Sequence, residues 1–113
     1  MRLDEAYAAG QGIAYEVSPG VMETVGAMAF AEGRLLAVAS PDWVPGGGSP
    51  KGLHLVDMLY GGSGPWTAGD KRLVPTGQPA PDLPATWRTA AEAALVRFHA
   101  DLTGDDFDLA PRW

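Results

Sequence analysis

The stretch from Val25 to Ser40, VGAMAFAEGRLLAVAS, constrains the fold more than any other part of the sequence. It is the longest apolar segment that is nearly free of charge, and Glu32, Gly33 and Arg34 interrupt it near the middle. Because a tight turn favours such residues, the pattern predicts a β-hairpin. Both faces of this hairpin are apolar, so we expect it to lie centrally in a sheet and to be covered on both sides.

The first half of this region admits two interpretations. Ser18 as N-cap and Pro19 as the first helical residue favour a helix over residues 21–32. Against this, β-branched residues such as Val21 and Thr24 are weak helix formers, and apolar and polar residues alternate there with the period of a strand. We therefore expect a strand.

The remaining elements follow from periodicity. Alternating apolar residues predict strands over residues 12–17, 52–60 and 71–75, and helical spacing predicts helices over residues 3–9 and 84–102. The 15 Gly and 10 Pro residues indicate many turns and long connections. We expect one α+β domain over residues 1–113: an antiparallel meander sheet of four to five strands packed against a C-terminal helix, with long Gly/Pro-rich loops and a short acidic tail at residues 104–113.

Charge and composition exclude several classes of function. The net charge is -6 with only 8 Lys and Arg residues, which argues against binding to a nucleic-acid backbone. No apolar run approaches the ~18 residues of a membrane span. Asp4 and Glu5 stand where a secretory leader would need an apolar core. We expect a cytoplasmic protein that binds neither nucleic acid nor membrane.

No constellation in the sequence is specific enough to name a chemistry. The chain has no Cys and 2 His residues, which makes most metal sites implausible. A Ser-His-Asp triad can be written from His54, Asp57 and one of several serines, but no strand-to-helix elbow frames a serine. We therefore expect a non-enzymatic protein without a catalytic residue, a cofactor or a metal.

Tryptophans in loops and acids in the tail are the strongest hints of function. Loop tryptophans beside glycine and proline often serve as binding anchors, although they can also fold back onto the core. Acidic residues beyond the last helix suit a basic protein partner. The candidate interaction residues are Trp43, Trp66, Asp105, Asp106, Asp108 and Trp113.

Two functions are consistent with these features. The first prediction is a protein-binding module, such as an inhibitor, an immunity-type protein or an adaptor, that uses the candidate interaction residues to bind another protein or a second copy of itself. The alternative is a small-molecule-binding domain or weak enzyme. Its pocket would lie between helix and sheet, be gated by the Gly46–Gly52 and Gly61–Gly64 loops and include His54.

Overall fold

Seven strands and two helices make up the part of the chain, residues 1–103, that the computed structural model describes. Helix α1 comes first, the strands follow, and the long helix α2 comes last. In chain order they are α1 (Leu3–Ala8), β1 (Gln11–Ser18), β2 (Val21–Thr24), β3 (Ala27–Ala31), β4 (Arg34–Ala39), β5 (Leu53–Leu59), β6 (Trp66–Ala68), β7 (Lys71–Pro79) and α2 (Ala85–Thr103).

The strands form two antiparallel sheets. Sheet A has four strands in the order β2-β1-β7-β6, and sheet B has three in the order β3-β4-β5. The predicted α+β class, with antiparallel strands and a C-terminal helix, is therefore confirmed. The expected single meander of four to five strands is instead two sheets, because β1 pairs with the distant β7. Strands β2 and β3 are consecutive in the chain but belong to different sheets. The chain crosses between the sheets at Val25 and Gly26, whose amides bond to Ile13 in sheet A and Ala39 in sheet B.

The β3–β4 hairpin contains the predicted turn and one irregularity. Glu32 and Gly33 make the turn with positive φ angles of 48° and 81°, and Phe30 pairs with Leu35 next to it. Beyond that pair a bulge shifts the register by one residue, so Met28 lies opposite Val38 instead of Ala37. Leu36 is the extra residue of the bulge, and it packs in the same buried cluster as its neighbour Ala37, whereas consecutive residues of a regular strand face opposite sides.

One apolar face of the hairpin is covered by sheet A. Met28 and Val38 from sheet B share a single buried cluster with Ile13 and Leu73 from sheet A. Leu3 of α1 belongs to the same cluster and is fully buried. Sheet A and α1 thus cover the face of the hairpin for which the sequence pattern predicts burial but indicates no partner.

The other face of the hairpin is covered by α2. Four alanines on the hairpin and the helix residues Ala91 and Leu95 form a second buried cluster. Because the alanine side chains are small, the helix backbone can approach the sheet closely. The result is three layers, with sheet A, sheet B and α2 in that order. The four alanines are Ala27, Ala29, Ala37 and Ala39.

Local patterns locate the remaining elements closely, with two differences. Residues 21–32 contain strands, as the alternation favours, although they are divided into β2 and β3 by Val25 and Gly26. Helix α2 begins and ends one residue later than predicted. The strand that begins at Lys71 continues to Pro79, and strand β6 has no counterpart in the prediction. Among residues 1–103, no helix combines the length and the apolar character needed to cross a bilayer.

Candidate functional site

A pocket of about 840 Å³ opens where β2, the start of β5 and the loop after β4 come together. Its wall includes carboxylate, ammonium, imidazole and hydroxyl groups, so both signs of charge face one space. The loop over residues 40–52 supplies most of the wall, and each sheet contributes one side chain. The polar residues that line it are Glu23, Ser40, Asp42, Ser49, Lys51 and His54.

Trp43 forms the apolar part of this wall and holds the loop against the core. Its side chain is packed in the alanine-rich cluster under α2, and the residue is only 8% exposed. The indole Nε1 donates a hydrogen bond of 3.1 Å to the carbonyl oxygen of Ser49, and the Trp43 carbonyl accepts one of 2.9 Å from Nε1 of Trp87. The glycine-rich loop is therefore attached to α2 through two indoles.

The two serines of the pocket stabilise the shape of the loop. The Ser40 hydroxyl accepts a hydrogen bond of 3.3 Å from the amide of Asp42, and the Ser49 hydroxyl accepts one of 3.2 Å from the amide of Lys51. The amide of Ser40 donates to the carbonyl of Gly52 at 2.8 Å and closes the loop at its base. Both hydroxyls thus have local structural roles typical of turn serines.

His54 and Glu23 face each other across the floor of the pocket. The distance from His54 Nε2 to Glu23 Oε2 is 3.7 Å, which is beyond hydrogen-bond length. Nε2 is buried and makes no hydrogen bond within residues 1–103, while the imidazole ring packs against Tyr15 at 5.4 Å between centroids.

The other predicted interaction residues lie away from this pocket. Trp66 is 5% exposed and packs between the two sheets, with Nε1 donating a hydrogen bond of 3.2 Å to the carbonyl of Gly62. Of the two alternatives for the loop tryptophans, Trp43 and Trp66 follow the second, because both rings fold back onto the core. The tail residues lie outside the described part of the chain; they are Asp105, Asp106, Asp108 and Trp113.

Comparisons with known proteins add no family to this geometry. No family model, curated protein or solved structure matches the chain. Among the described residues, no group of three or more His, Cys, Asp or Glu side chains is placed to hold a metal ion. The function must therefore be argued from the pocket itself.

A second polar cluster joins α2 to sheet B, and it contains Asp57 but not His54. Asp57 is ion-paired with Arg34 and lies 3.5 Å from Nε2 of His99, which is 1% exposed. Its φ of 50° places it in the left-handed region, which Asp tolerates better than most residues. The neighbours of Asp57 on β5 face sheet A, as His54 does, whereas Asp57 faces α2. His54 and Asp57 therefore lie on opposite faces of β5, so the Ser-His-Asp triad that can be written from the sequence is not assembled.

The carboxylates of the pocket are the residues that the sequence does not mark as functional. Glu23 lies on β2, a strand whose four residues are all exposed. In the sequence it is the polar residue of an alternating pattern, which indicates only a solvent-facing position. Asp42 follows Pro41, which is typical of a turn. Their convergence on His54 depends on the crossing of the chain from sheet A to sheet B, for which the sequence has no local signal.

Proposed function

We propose that the protein is a non-enzymatic protein-binding module and that the pocket beside β2 is its binding site. The observation that carries the proposal is the position of the pocket, which adjoins an exposed strand at the free edge of sheet A. An exposed strand edge with an adjoining pocket can recognise both the backbone and a side chain of a partner. This site includes Trp43 but not Trp66, and the cytoplasmic location remains part of the proposal.

The chemistry of the pocket supports binding over catalysis. The hydroxyls of Ser40 and Ser49 are engaged by backbone amides of their own loop, and the nearest ionic neighbour of His54 is Glu23. What the pocket offers is fixed charge and hydrogen-bonding groups on a wall that Trp43 holds in place. Such a preformed wall lowers the ordering cost of association.

A small-molecule-binding domain is the second candidate, because the size of the pocket favours it. About 840 Å³ falls within the ~300–1,000 Å³ typical of small-ligand sites. The pocket contains His54 and part of the Gly46–Gly52 loop, as that alternative predicts, although it lies beside β2 and not between helix and sheet. A rise in melting temperature with a low-molecular-weight compound, and none with any peptide, would favour this candidate.

A peptide selection tests the proposed function. We expect the wild-type protein to enrich a subset of peptides from a phage-displayed library of short random sequences. Reversing charge in the pocket with Glu23→Lys and Asp42→Lys should abolish that enrichment, since the pocket then presents cations where it had carboxylates. The matched control is Asp82→Lys, which makes the same charge change outside the pocket, in the segment before α2.

The outcomes of this selection separate the possibilities. Enrichment that survives Asp82→Lys but not the pocket variants supports the proposal. No enrichment by the wild-type protein, or enrichment that all variants retain, contradicts it. Light scattering on the same samples tests self-association, and a dimer that the pocket variants disrupt would identify a second copy of the chain as the protein partner.

A further inference from the structure

We infer that the partner is an extended peptide segment that pairs with β2 as an additional strand and places a basic side chain in the pocket. This inference rests on the proposed function and specifies the partner at the same site. It starts from the edge of sheet A. Among the described strands, only β1 pairs with β2, so the opposite side of β2 is a free edge.

The backbone of β2 is available for pairing. All four of its residues are exposed, and they include apolar Val21 and Met22 at 50% and 38% exposure. In an antiparallel ladder, alternate residues of an edge strand direct their N–H and C=O groups away from the sheet. A partner strand can therefore form main-chain hydrogen bonds with β2 that no other strand of residues 1–103 forms.

The register of sheet A places one partner side chain at the pocket. Tyr15 on β1 lies directly opposite Glu23 on β2, and both side chains are on the face that meets His54. Directly opposed residues of neighbouring strands share a face of the sheet. A residue of an added strand opposite Glu23 would therefore also point to this face, beside Glu23 and His54.

The charge at this point favours a basic side chain. The Glu23 side chain is 48% exposed, and within the described residues its only ionic neighbour is His54, at 3.7 Å. Asp42 is a second carboxylate of the same pocket, and the whole chain carries a net charge of -6. Lys51, the ammonium of the pocket, lies in the loop after β4 and not on β2, and no ion pair joins it to Glu23 among the described residues.

The test uses the full-length protein and the most enriched peptide of the phage selection. We expect that peptide to contain Lys or Arg flanked by strand-forming residues. Replacing Glu23 by Gln should weaken its binding by about tenfold, because a charge-assisted hydrogen bond is lost while the shape is kept. N-methylation of alternate peptide amides should weaken binding by about tenfold or more, since it blocks strand pairing.

The matched controls are Asp82→Asn, which removes a carboxylate outside the pocket, and N-methylation of the intervening peptide amides. Neither should change the affinity more than about twofold. A selected peptide without a basic residue, or one whose affinity is insensitive to both Glu23→Gln and N-methylation, overturns the inference and leaves protein binding intact. If no peptide is enriched, both the inference and the proposed function fail.

Discussion

Gly26 lies at a tightly packed point of the crossing between the two sheets. A Cβ at this position would lie 2.8 Å from backbone atoms of Pro41 and 2.9 Å from the ring of Trp87. Real Cβ atoms do not come so close to backbone atoms. The absence of a side chain therefore lets the loop after β4 and the helix α2 meet at the crossing, close to the wall of the pocket.

Replacing Gly26 by Ala should destabilise the fold. The added methyl group overpacks a site where the nearest atoms are backbone and an indole ring, so we expect a loss of roughly 1–3 kcal/mol in the free energy of unfolding. Gly61→Ala is the matched control, because a Cβ at Gly61 would have no neighbouring atom within 4 Å. Urea denaturation measures both variants, and equal midpoints would show that the crossing is loosely packed.

At the scale of elements, Tyr7 joins the short helix α1 to the long helix α2. Its hydroxyl donates a hydrogen bond of 2.7 Å to Glu92, and the guanidinium of Arg88 lies 5.6 Å from the centre of its ring. Burial, followed by the bond to Glu92, raises the pKa of Tyr7 well above its ordinary value of 10.0. The fold thus favours the protonated phenol.

This pKa shift predicts a loss of stability at alkaline pH. Because the pKa is raised in the folded state, the contribution of Tyr7 is fully present below its unfolded pKa of about 10 and is lost as pH rises above it. Tyr7→Phe should therefore be less stable than wild type at about pH 8, and the difference should shrink by about pH 11. Urea denaturation at both pH values measures this difference. A difference that stays constant between the two pH values for Tyr7→Phe would contradict the assignment.

Local signals in the sequence predict individual elements but not how they assemble. The spacing of apolar residues locates α2 to within one residue at each end, and the Glu32–Gly33 turn fixes the hairpin. The bulge beside Leu36 has no such signal, because both registers bury apolar residues. The pairing of β1 with β7 joins distant parts of the chain and leaves no periodic pattern in either strand that would identify its partner.

At the scale of the whole molecule, the two apolar faces of the hairpin explain the three-layer arrangement. Met28, Leu35 and Val38 of the hairpin meet sheet A, whereas its four alanines and Leu36 meet α2. The sequence shows that both faces need cover, yet only α2 can be assigned in advance, since the other cover is assembled from four separate strands. The pocket lies where this assembly leaves β2 as a free edge, which is why its residues could not be predicted as a site.

The measurement that tests the central claim most directly is a map of backbone amide chemical shifts with the most enriched peptide bound. If the partner binds at the pocket and the β2 edge, the largest changes should fall on Val21–Thr24 and on the pocket residues Lys51 and His54. Amides on the exposed side of α2, such as that of Val96, should not change. Changes concentrated on α2, with none on β2, would contradict the claim.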